Sequence, residues 1–199
     1  SDRAQRRGGM AASSAFLQRA TELTPDPATR AIRALSAARA SLAAGAFETA
    51  LRLLNTAGEG PVNGLHQARV NLMRAQLTFA SGHSSEAPPL LLEAARRLEP
   101  LDLGLARDTY LDALAAAQFA GRFGQDTGIA YVARAAKAVP RLAEPRKRDV
   151  LHDAVTTLFA DGVRAAVDPA REAMSAFSAE NGTTDHEDLT WMWLSAVLA

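Results

Sequence analysis

Hydrophobic residues recur at steps of three and four along most of this chain of 199 residues, which is the period of an α-helix. The pattern is clearest over residues 66–98, where two apolar-periodic runs flank Gly82. Two amphipathic helices joined by a glycine turn form a helical hairpin, and a single hairpin cannot bury both of its faces. In the second run the periodic positions are Leu90, Leu91, Ala94, Ala95 and Leu98. The sequence therefore predicts a hairpin at this position that packs against further helices.

Glycines at turn positions recur at a nearly constant spacing, which predicts that the hairpin is repeated. They are Gly8, Gly45, Gly82, Gly121 and Gly162, and the spacing between neighbours rises from 37 to 41 residues. A period of about 40 residues lies within the range of helical-hairpin repeats. Each glycine is expected to mark a turn between two helices, and Gly82 is expected to end its helix in the left-handed conformation.

The repeat register set by these glycines predicts an all-α fold of about ten helices without a sheet. In this fold TPR-like helical hairpins stack into an α-α superhelix. We expect residues 1–199 to form a single repeat domain, truncated at both ends because the first and last repeats look incomplete. The hairpins are predicted at residues 1–23, 27–58, 64–99, 102–139 and 147–178, followed by a half-repeat at 184–199.

Local signals predict where individual helices begin. The pair Asp26–Pro27 is typical of an N-cap followed by the first helical residue. Pro89 and Pro169 each lie seven residues after a turn glycine, where a proline inside a helix would cost about 3 kcal/mol. We expect a late helix start at both positions, with Ser85 and Asp168 near the caps, and a kinked helix is the alternative.

The composition agrees with a helical protein and excludes several classes. The chain is 48% hydrophobic but only 6% aromatic, a bias that favours helix over sheet. Its 22 basic and 22 acidic residues cancel, which argues against direct nucleic-acid binding. No apolar run is long enough to cross a membrane, and the lack of cysteine excludes disulfides and thiolate catalysis. We expect a cytoplasmic protein without membrane contact.

The segment 45–57, GAFETALRLLNTA, is similar to the second helix of a tetratricopeptide repeat (TPR), which follows the pattern G-x-aromatic-x-x-A-x-x-x-L-x-x-A. No Trp or Tyr stands at the usual first-helix positions, and the period exceeds the usual length of about 34 residues. The repeats are therefore TPR-like. More specifically, residues 8–54, 90–122 and 189–199 resemble the helical-repeat region of large ATP-binding LuxR-type transcriptional regulators of actinobacteria.

The resemblance implies a function without catalysis in this chain. In that family an ATPase domain precedes the repeats and a helix-turn-helix follows them, but no phosphate-binding G-x-x-x-x-G-K-[ST] loop occurs here. The chain would be the sensor or protein-interaction arm, which binds an effector or partner and relays that event to the ATPase and DNA-binding domains. The alternative is a free-standing TPR-like adaptor that binds peptide tails of partner proteins. Self-association into a homo-oligomer stays open in both cases.

The first helices of stacked hairpins usually line a concave surface, so their outward positions are the candidate binding residues. A groove there could bind a peptide, a protein partner or a small-molecule effector, and the alternative is a solvated helix face without a ligand. The repeat register assigns to this groove Arg69, Met73, Gln76, Asp112 and Asp153.

Residues that could carry catalysis or bind a metal are not brought together by the register. The four histidines are not paired at helical spacing, so no two-histidine metal face is predicted. Asp149 and Asp153 lie one turn apart, which suits acid–base catalysis, but both fall at outward positions. His152 and Asp153 point about 100° apart on a helix, which argues against an acid–base pair. We expect no catalytic residue, metal or cofactor, and a solvated basic linker at 141–148.

Overall fold

The computed structural model describes residues 2–83, 85–120 and 128–178. These residues form nine α-helices joined by short connections and contain no strand, which confirms the all-α fold. The chain divides into two compact units, Ser1–His83 and Ser84–Ala199. The predicted half-repeat at 184–199 and the predicted turn at Gly121 lie outside the described residues. The superhelix and the single repeat domain stay predictions.

The first unit contains four helices, which are α1 (Asp2–Glu22), α2 (Pro27–Ala43), α3 (Phe47–Glu59) and α4 (Gly64–Ala80). Helix α2 packs against α1 on one side and α3 on the other, and α4 packs on α3 and more lightly on α2. Between α1 and α2 the hydroxyls of Ser14 and Ser41 form a buried hydrogen bond of 2.8 Å. The hairpin predicted at 27–58 is confirmed by α2 and α3.

The second unit contains five helices, which are α5 (Ala87–Leu98), α6 (Leu103–Ala120), α7 (Ile129–Lys137), α8 (Lys147–Asp161) and α9 (Val163–Ser178). Helix α5 packs against α6, α7 contacts both α6 and α8, and α8 pairs with α9. The hairpin predicted at 147–178 is therefore confirmed. Leu91 and Leu98 of α5 and Leu111 and Leu114 of α6 are almost completely buried.

Two of the predicted glycine turns share one hydrogen-bond pattern. Gly45 and Gly82 have φ angles of 77° and 90°, so both are left-handed, as expected for Gly82. After α2, the amide of Ala46 donates to Ser41 O and the amide of Gly45 to Leu42 O. The amides of His83 and Gly82 repeat these two bonds after α4, to Thr78 O and Phe79 O. Both turns are Schellman motifs, which satisfy the last carbonyls of a helix.

The turn predicted at Gly8 is wrong. Helix α1 runs without interruption from Asp2 to Glu22 and so passes through Gly8 and Gly9. A glycine permits a left-handed turn but does not require one, and it costs a helix only about 1 kcal/mol relative to alanine.

The predicted helix starts are partly confirmed. Asp26 caps α2 by accepting a hydrogen bond of 2.8 Å from the amide of Thr29. Helix α5 starts late, as expected, and has its prolines in the first turn, although the cap position is held by Glu86 instead of Ser85. The late start expected at Asp168 is wrong, because α9 begins at Val163 directly after the single linking residue Gly162 and contains Pro169 in its interior.

The core of the first unit shows that one predicted groove residue points inward. Met73 is only 4% exposed and packs in a cluster with Leu54 of α3 and with Val70 and Leu77 of its own helix. Positions three before and four after a residue lie on the same face of a helix, so Met73 follows the buried face of α4. The prediction that Met73 lines a binding groove is therefore wrong.

The connection between α3 and α4 passes so close to α2 that only glycine fits. A Cβ atom on Gly60 would lie 2.6 Å from Ala31 Cβ and 3.1 Å from Pro27 O. We expect Gly60→Ala to lower the free energy of unfolding by about 1–3 kcal/mol, because the overpacked loop must move away from α2. Urea denaturation followed by circular dichroism measures the change.

Gly64→Ala is the matched control, because a Cβ atom there has no neighbour within 4 Å. Alanine also favours the helix at this first residue of α4, so no loss of stability is expected. Equal stability of the two variants would contradict the close approach at Gly60.

Candidate functional site

An open cleft of about 320 Å³ lies between α2 and α4 in the first unit. The wall formed by α2 carries Ile32, Leu35, Ser36 and Arg39, which recur at steps of three and four and so share one face of the helix. The wall formed by α4 and the residue before it carries Asn63, Leu65, His66 and Arg69. Arg69 was among the groove residues predicted from the sequence.

Hydrogen bonds hold the beginning of α4 in place beside the cleft. The Asn63 side chain caps the helix by accepting a bond of 2.8 Å from the amide of His66. The His66 ring donates from Nε2 to Ala57 O near the end of α3, at 3.1 Å. Because the His66 bond joins the start of α4 to the end of α3, the α4 wall of the cleft is held in place relative to α3.

The lining of the cleft combines an apolar surface with positive charge. Leu35 forms a mostly buried part of the wall, whereas Ile32 is 58% exposed and Arg39 is exposed to solvent. None of the lining residues is acidic, and neither α2 nor α4 contains an Asp or Glu. The cleft is therefore suited to a ligand that carries both apolar groups and negative charge.

The neutral chain is strongly polarised between its two units. Residues 1–83 contain 10 basic and 5 acidic residues, which gives a formal charge of +5. Residues 84–199 contain 12 basic and 17 acidic residues, which gives a formal charge of −5. The overall net charge of zero therefore hides a basic unit that contains the cleft.

The five predicted groove residues have different environments. Arg69 lines the cleft, Gln76 is half-buried further along α4, and Met73 lies in the core. These three belong to the first unit, whereas Asp112 and Asp153 belong to the second. Asp112 is half-buried on α6, and Asp153 is part of an ion-pair cluster.

That cluster surrounds Arg107, whose side chain is only 1% exposed. Its Nε atom donates to Asp149 Oδ1 at 2.8 Å, and Nη2 donates to Asp153 Oδ1 at 2.6 Å. Two backbone carbonyls, Pro140 O and Asp149 O, each accept a further bond of 3.1 Å. A buried charge needs such partners, because desolvation without them costs several kcal/mol. The cluster therefore ties α6 to α8 and to the segment between α7 and α8.

Sequence reasoning missed Arg107, although a signal was present. The neighbours of Arg107 at helical spacing, Tyr110, Leu111 and Leu114, are all apolar or aromatic and are buried on α6. A single arginine at a helical position whose neighbours on the same face are apolar indicates a buried ion pair. Because charged side chains are rarely buried unless they are paired, acidic residues of another helix are the expected partners.

The outward positions predicted for Asp149 and Asp153 are wrong. Asp149 is 1% exposed, and the side chain of Asp153 is 24% exposed and also binds Arg141 Nε at 2.9 Å. Helix α8 contacts α6, α7 and α9, so the face that the repeat register assigns to solvent is covered in the folded unit. Asp153 thus has a structural role in place of the predicted groove role.

The linker predicted at 141–148 is largely exposed to solvent, as expected, but ion pairs hold its basic side chains in place. Arg146 Nε binds Asp149 Oδ2 at 2.8 Å, and Arg146 Nη2 binds Asp108 Oδ1 at 2.9 Å. Arg148 adds a second contact to Asp108 at 3.3 Å. Burial raises the pKa of Asp108 even though both arginines act in the opposite direction. The basic residues therefore fasten the linker to α6 and α8.

His152 and Asp153 form the contact that their spacing argued against. His152 Nδ1 lies 3.3 Å from Asp153 Oδ1, because side-chain rotation overcomes the diverging directions of adjacent helical residues. Burial lowers the pKa of His152, whose ring also meets the Tyr110 ring edge-on at a centroid distance of 6.4 Å. Its Nε2 atom has no hydrogen-bond partner in the part of the chain that the structure describes.

The centre of the cluster is closed to solvent, because Arg107, Asp149 and His152 are each 1% exposed. Within residues 2–83, 85–120 and 128–178, no group of three or more His, Asp or Glu side chains is placed to hold a metal ion. Among the described helices, none has the length and apolar character needed to cross a membrane.

Arg107→Met tests the importance of the cluster. The substitution leaves Asp149 and Asp153 without their shared guanidinium, and we expect the free energy of unfolding to fall by about 3–5 kcal/mol. Arg97→Met is the matched control, because Arg97 pairs with Glu93 on the exposed surface of α5, where such a pair contributes about 1 kcal/mol or less. Similar losses in thermal or urea unfolding of the two variants would contradict the buried role of Arg107.

The same cluster predicts a loss of stability in acid. Burial raises the pKa of Asp153, but hydrogen bonds from His152 and Arg107 outweigh this and lower it to about 2. The pKa of Asp149 is also lowered, because bonds from Arg146 and Arg107 outweigh burial. Since the unfolded carboxyls take up protons first, near pH 4, this stabilisation is present above that pH and disappears towards pH 2.

His152 acts in the same direction at higher pH, because its lowered pKa makes the unfolded state protonate first below about pH 6.5. The raised pKa of Asp108 opposes the trend. We expect Asp153 to account for a loss on the order of 2 kcal/mol between pH 5 and 2, measured by urea denaturation across this range. Asp153→Asn should flatten the profile there, and an unchanged slope would contradict the assignment.

Comparisons of the whole chain with protein-family models, with curated proteins and with solved structures find no match. The resemblance to the repeat region of LuxR-type regulators therefore stays a prediction. The functional argument depends on the residues and contacts of the cleft itself.

Proposed function

We propose that this chain is a non-catalytic interaction module that binds a partner segment or an effector in the cleft between α2 and α4. The observation that carries this proposal is the open, amphipathic lining of the cleft, formed by the first helices of two consecutive hairpins in the repeat register. Its volume of about 320 Å³ falls at the lower end of the range typical of ligand sites.

The polar groups of the cleft favour binding over catalysis. The Ser36 hydroxyl donates to Ile32 O at 3.3 Å, and His66 Nε2 bonds to Ala57 O. Each of these groups is thus engaged with a backbone carbonyl, whereas a nucleophile and its base would be bonded to each other. Arg39 and Arg69 line the same cleft, and their positive charge attracts and orients an anionic ligand.

On this proposal the parent protein is a cytoplasmic LuxR-type ATP-dependent regulator, in which a superhelix of TPR-like hairpins relays ligand binding to ATPase and DNA-binding domains. The family-like segments 8–54 and 90–122 support this reading. The open form of the cleft, with Ile32 58% exposed, also suits the second candidate, an adaptor that binds peptide tails. The complete gene separates the two, because only the regulator encodes a P-loop upstream and a helix-turn-helix downstream.

A random peptide library displayed on phage tests whether the cleft binds protein segments. We expect selected peptides to slow amide hydrogen exchange in α2 and α4 and to lose at least about tenfold in affinity for the Ile32→Asp variant, because a charge replaces an apolar contact. The matched control is Leu51→Asp, since Leu51 is 49% exposed on α3 and does not line the cleft.

Peptides that bind wild type and Ile32→Asp equally, or that protect only α8 and α9, would contradict the proposal. A selection that yields no binding peptide would exclude the peptide form of the function and leave the effector form, which a screen for thermal stabilisation by small anions tests in the same variants.

A further inference from the structure

We infer that the cleft between α2 and α4 recognises an acidic protein segment that presents carboxylates and aliphatic side chains on the same face. Arg39 and Arg69 bind the carboxylates, and Ile32, Leu35 and Leu65 receive the aliphatic groups. The inference rests on the proposed function and specifies the chemistry of its partner.

The electrostatic argument begins with the two helices that form the cleft. Helix α2 carries three arginines and α4 carries two, and the sequence of neither helix contains an acidic residue. Arg39 makes no hydrogen bond or ion pair with any other residue that the structure describes. The guanidinium group is a planar fork that matches a carboxylate, so the preferred ligand charge is negative.

The +5 charge of residues 1–83 extends this preference beyond the cleft. Charges spread over a surface steer an oppositely charged partner during encounter, and they make the association rate depend on salt. An acidic segment longer than the cleft would gain from this wider field, whereas a small neutral effector would not.

The shape of the cleft favours an extended segment. Ile32 and Arg39 are separated by two turns of α2, which corresponds to about 10 Å along the helix axis. An extended chain covers that length with about three residues. Because its side chains alternate between two faces, the face that meets the cleft must carry both an aliphatic side chain and a carboxylate. Because Ile32 and Arg39 are both exposed, the chain can continue past the cleft at either end.

The lining also distinguishes a protein segment from a nucleic acid. Single-stranded nucleic acids bind through cationic groups together with aromatic side chains on which the bases stack. The cleft provides Ile32, Leu35 and Leu65 where such a site would need Tyr, Phe or Trp. An aliphatic surface beside arginine instead matches Leu, Ile or Val side chains next to Glu or Asp.

The test is fluorescence anisotropy with an end-capped, fluorescein-labelled peptide of about eight residues, in which Glu–Glu and Leu–Leu pairs alternate so that each face carries both side chains. Companion probes replace Glu by Lys, replace Leu by Ser, or consist of an oligo-dT of about eight nucleotides. We expect the Glu–Leu probe to bind most tightly and to weaken as NaCl rises from about 50 to about 300 mM.

The decisive variant is Arg39→Gln with Arg69→Gln, which should weaken binding of the Glu–Leu probe by roughly tenfold or more. Its matched control is Arg52→Gln with Arg74→Gln, which removes the same charge from side chains that bond to Thr49 and Asn55 outside the cleft lining. We expect a change below about threefold for this control. If circular dichroism shows that the double variant is unfolded, the single variant Arg39→Gln replaces it in the binding measurement.

Equal losses in the two double variants would overturn the inference, because binding would then follow net charge alone. Tighter binding of the Lys–Leu probe or of oligo-dT, or equal binding of the Glu–Ser probe, would also overturn it. Self-association that Arg39→Gln abolishes would show that the occupant is a second copy of this chain. Library peptides that bind the cleft without acidic residues would refute the inference and leave the proposed function standing.

Discussion

Close packing by alanine is the constraint on which the described helices depend. More than half of the buried apolar residues are alanines, so helices such as α2 and α3 have little side-chain bulk to hold them apart. Each buried methyl group contributes only about 0.8 kcal/mol, and this contribution is lost when the helices separate. The approach of Gly60 to Ala31 follows from this, because a connection that passes over such a helix has no room for a side chain.

The second unit adds a different kind of connection. A buried ion pair contributes little net stability, since desolvation offsets most of the Coulomb attraction, but its geometry is demanding. Arg107 can satisfy Asp149, Asp153 and the carbonyl of Pro140 only when α6, α8 and the preceding segment are correctly aligned. Alanine-rich surfaces are smooth and similar to one another, whereas the bonds of Arg107 are directional and join specific positions of α6 and α8.

The cleft in the first unit follows from the same repeat geometry. Helices α2 and α4 are both linked to α3, which places their outer faces beside each other with a gap between them. Their side chains then decide what the gap can bind. Arg39 and Arg69 supply positive charge and Ile32 an exposed apolar surface, which is the combination on which the proposed ligand chemistry rests.

The sequence by itself determined the helical class, the hairpins at 27–58 and 147–178, and the left-handed turn at Gly82, because these depend on periodicity and local backbone preferences. It also assigned Arg69 to an outward position, and Arg69 does line the cleft. Only the tertiary structure decided that Met73 points into the core and that Asp153 pairs with Arg107. Both outcomes depend on which helix packs against which face, and a repeat register read along one chain does not contain that information.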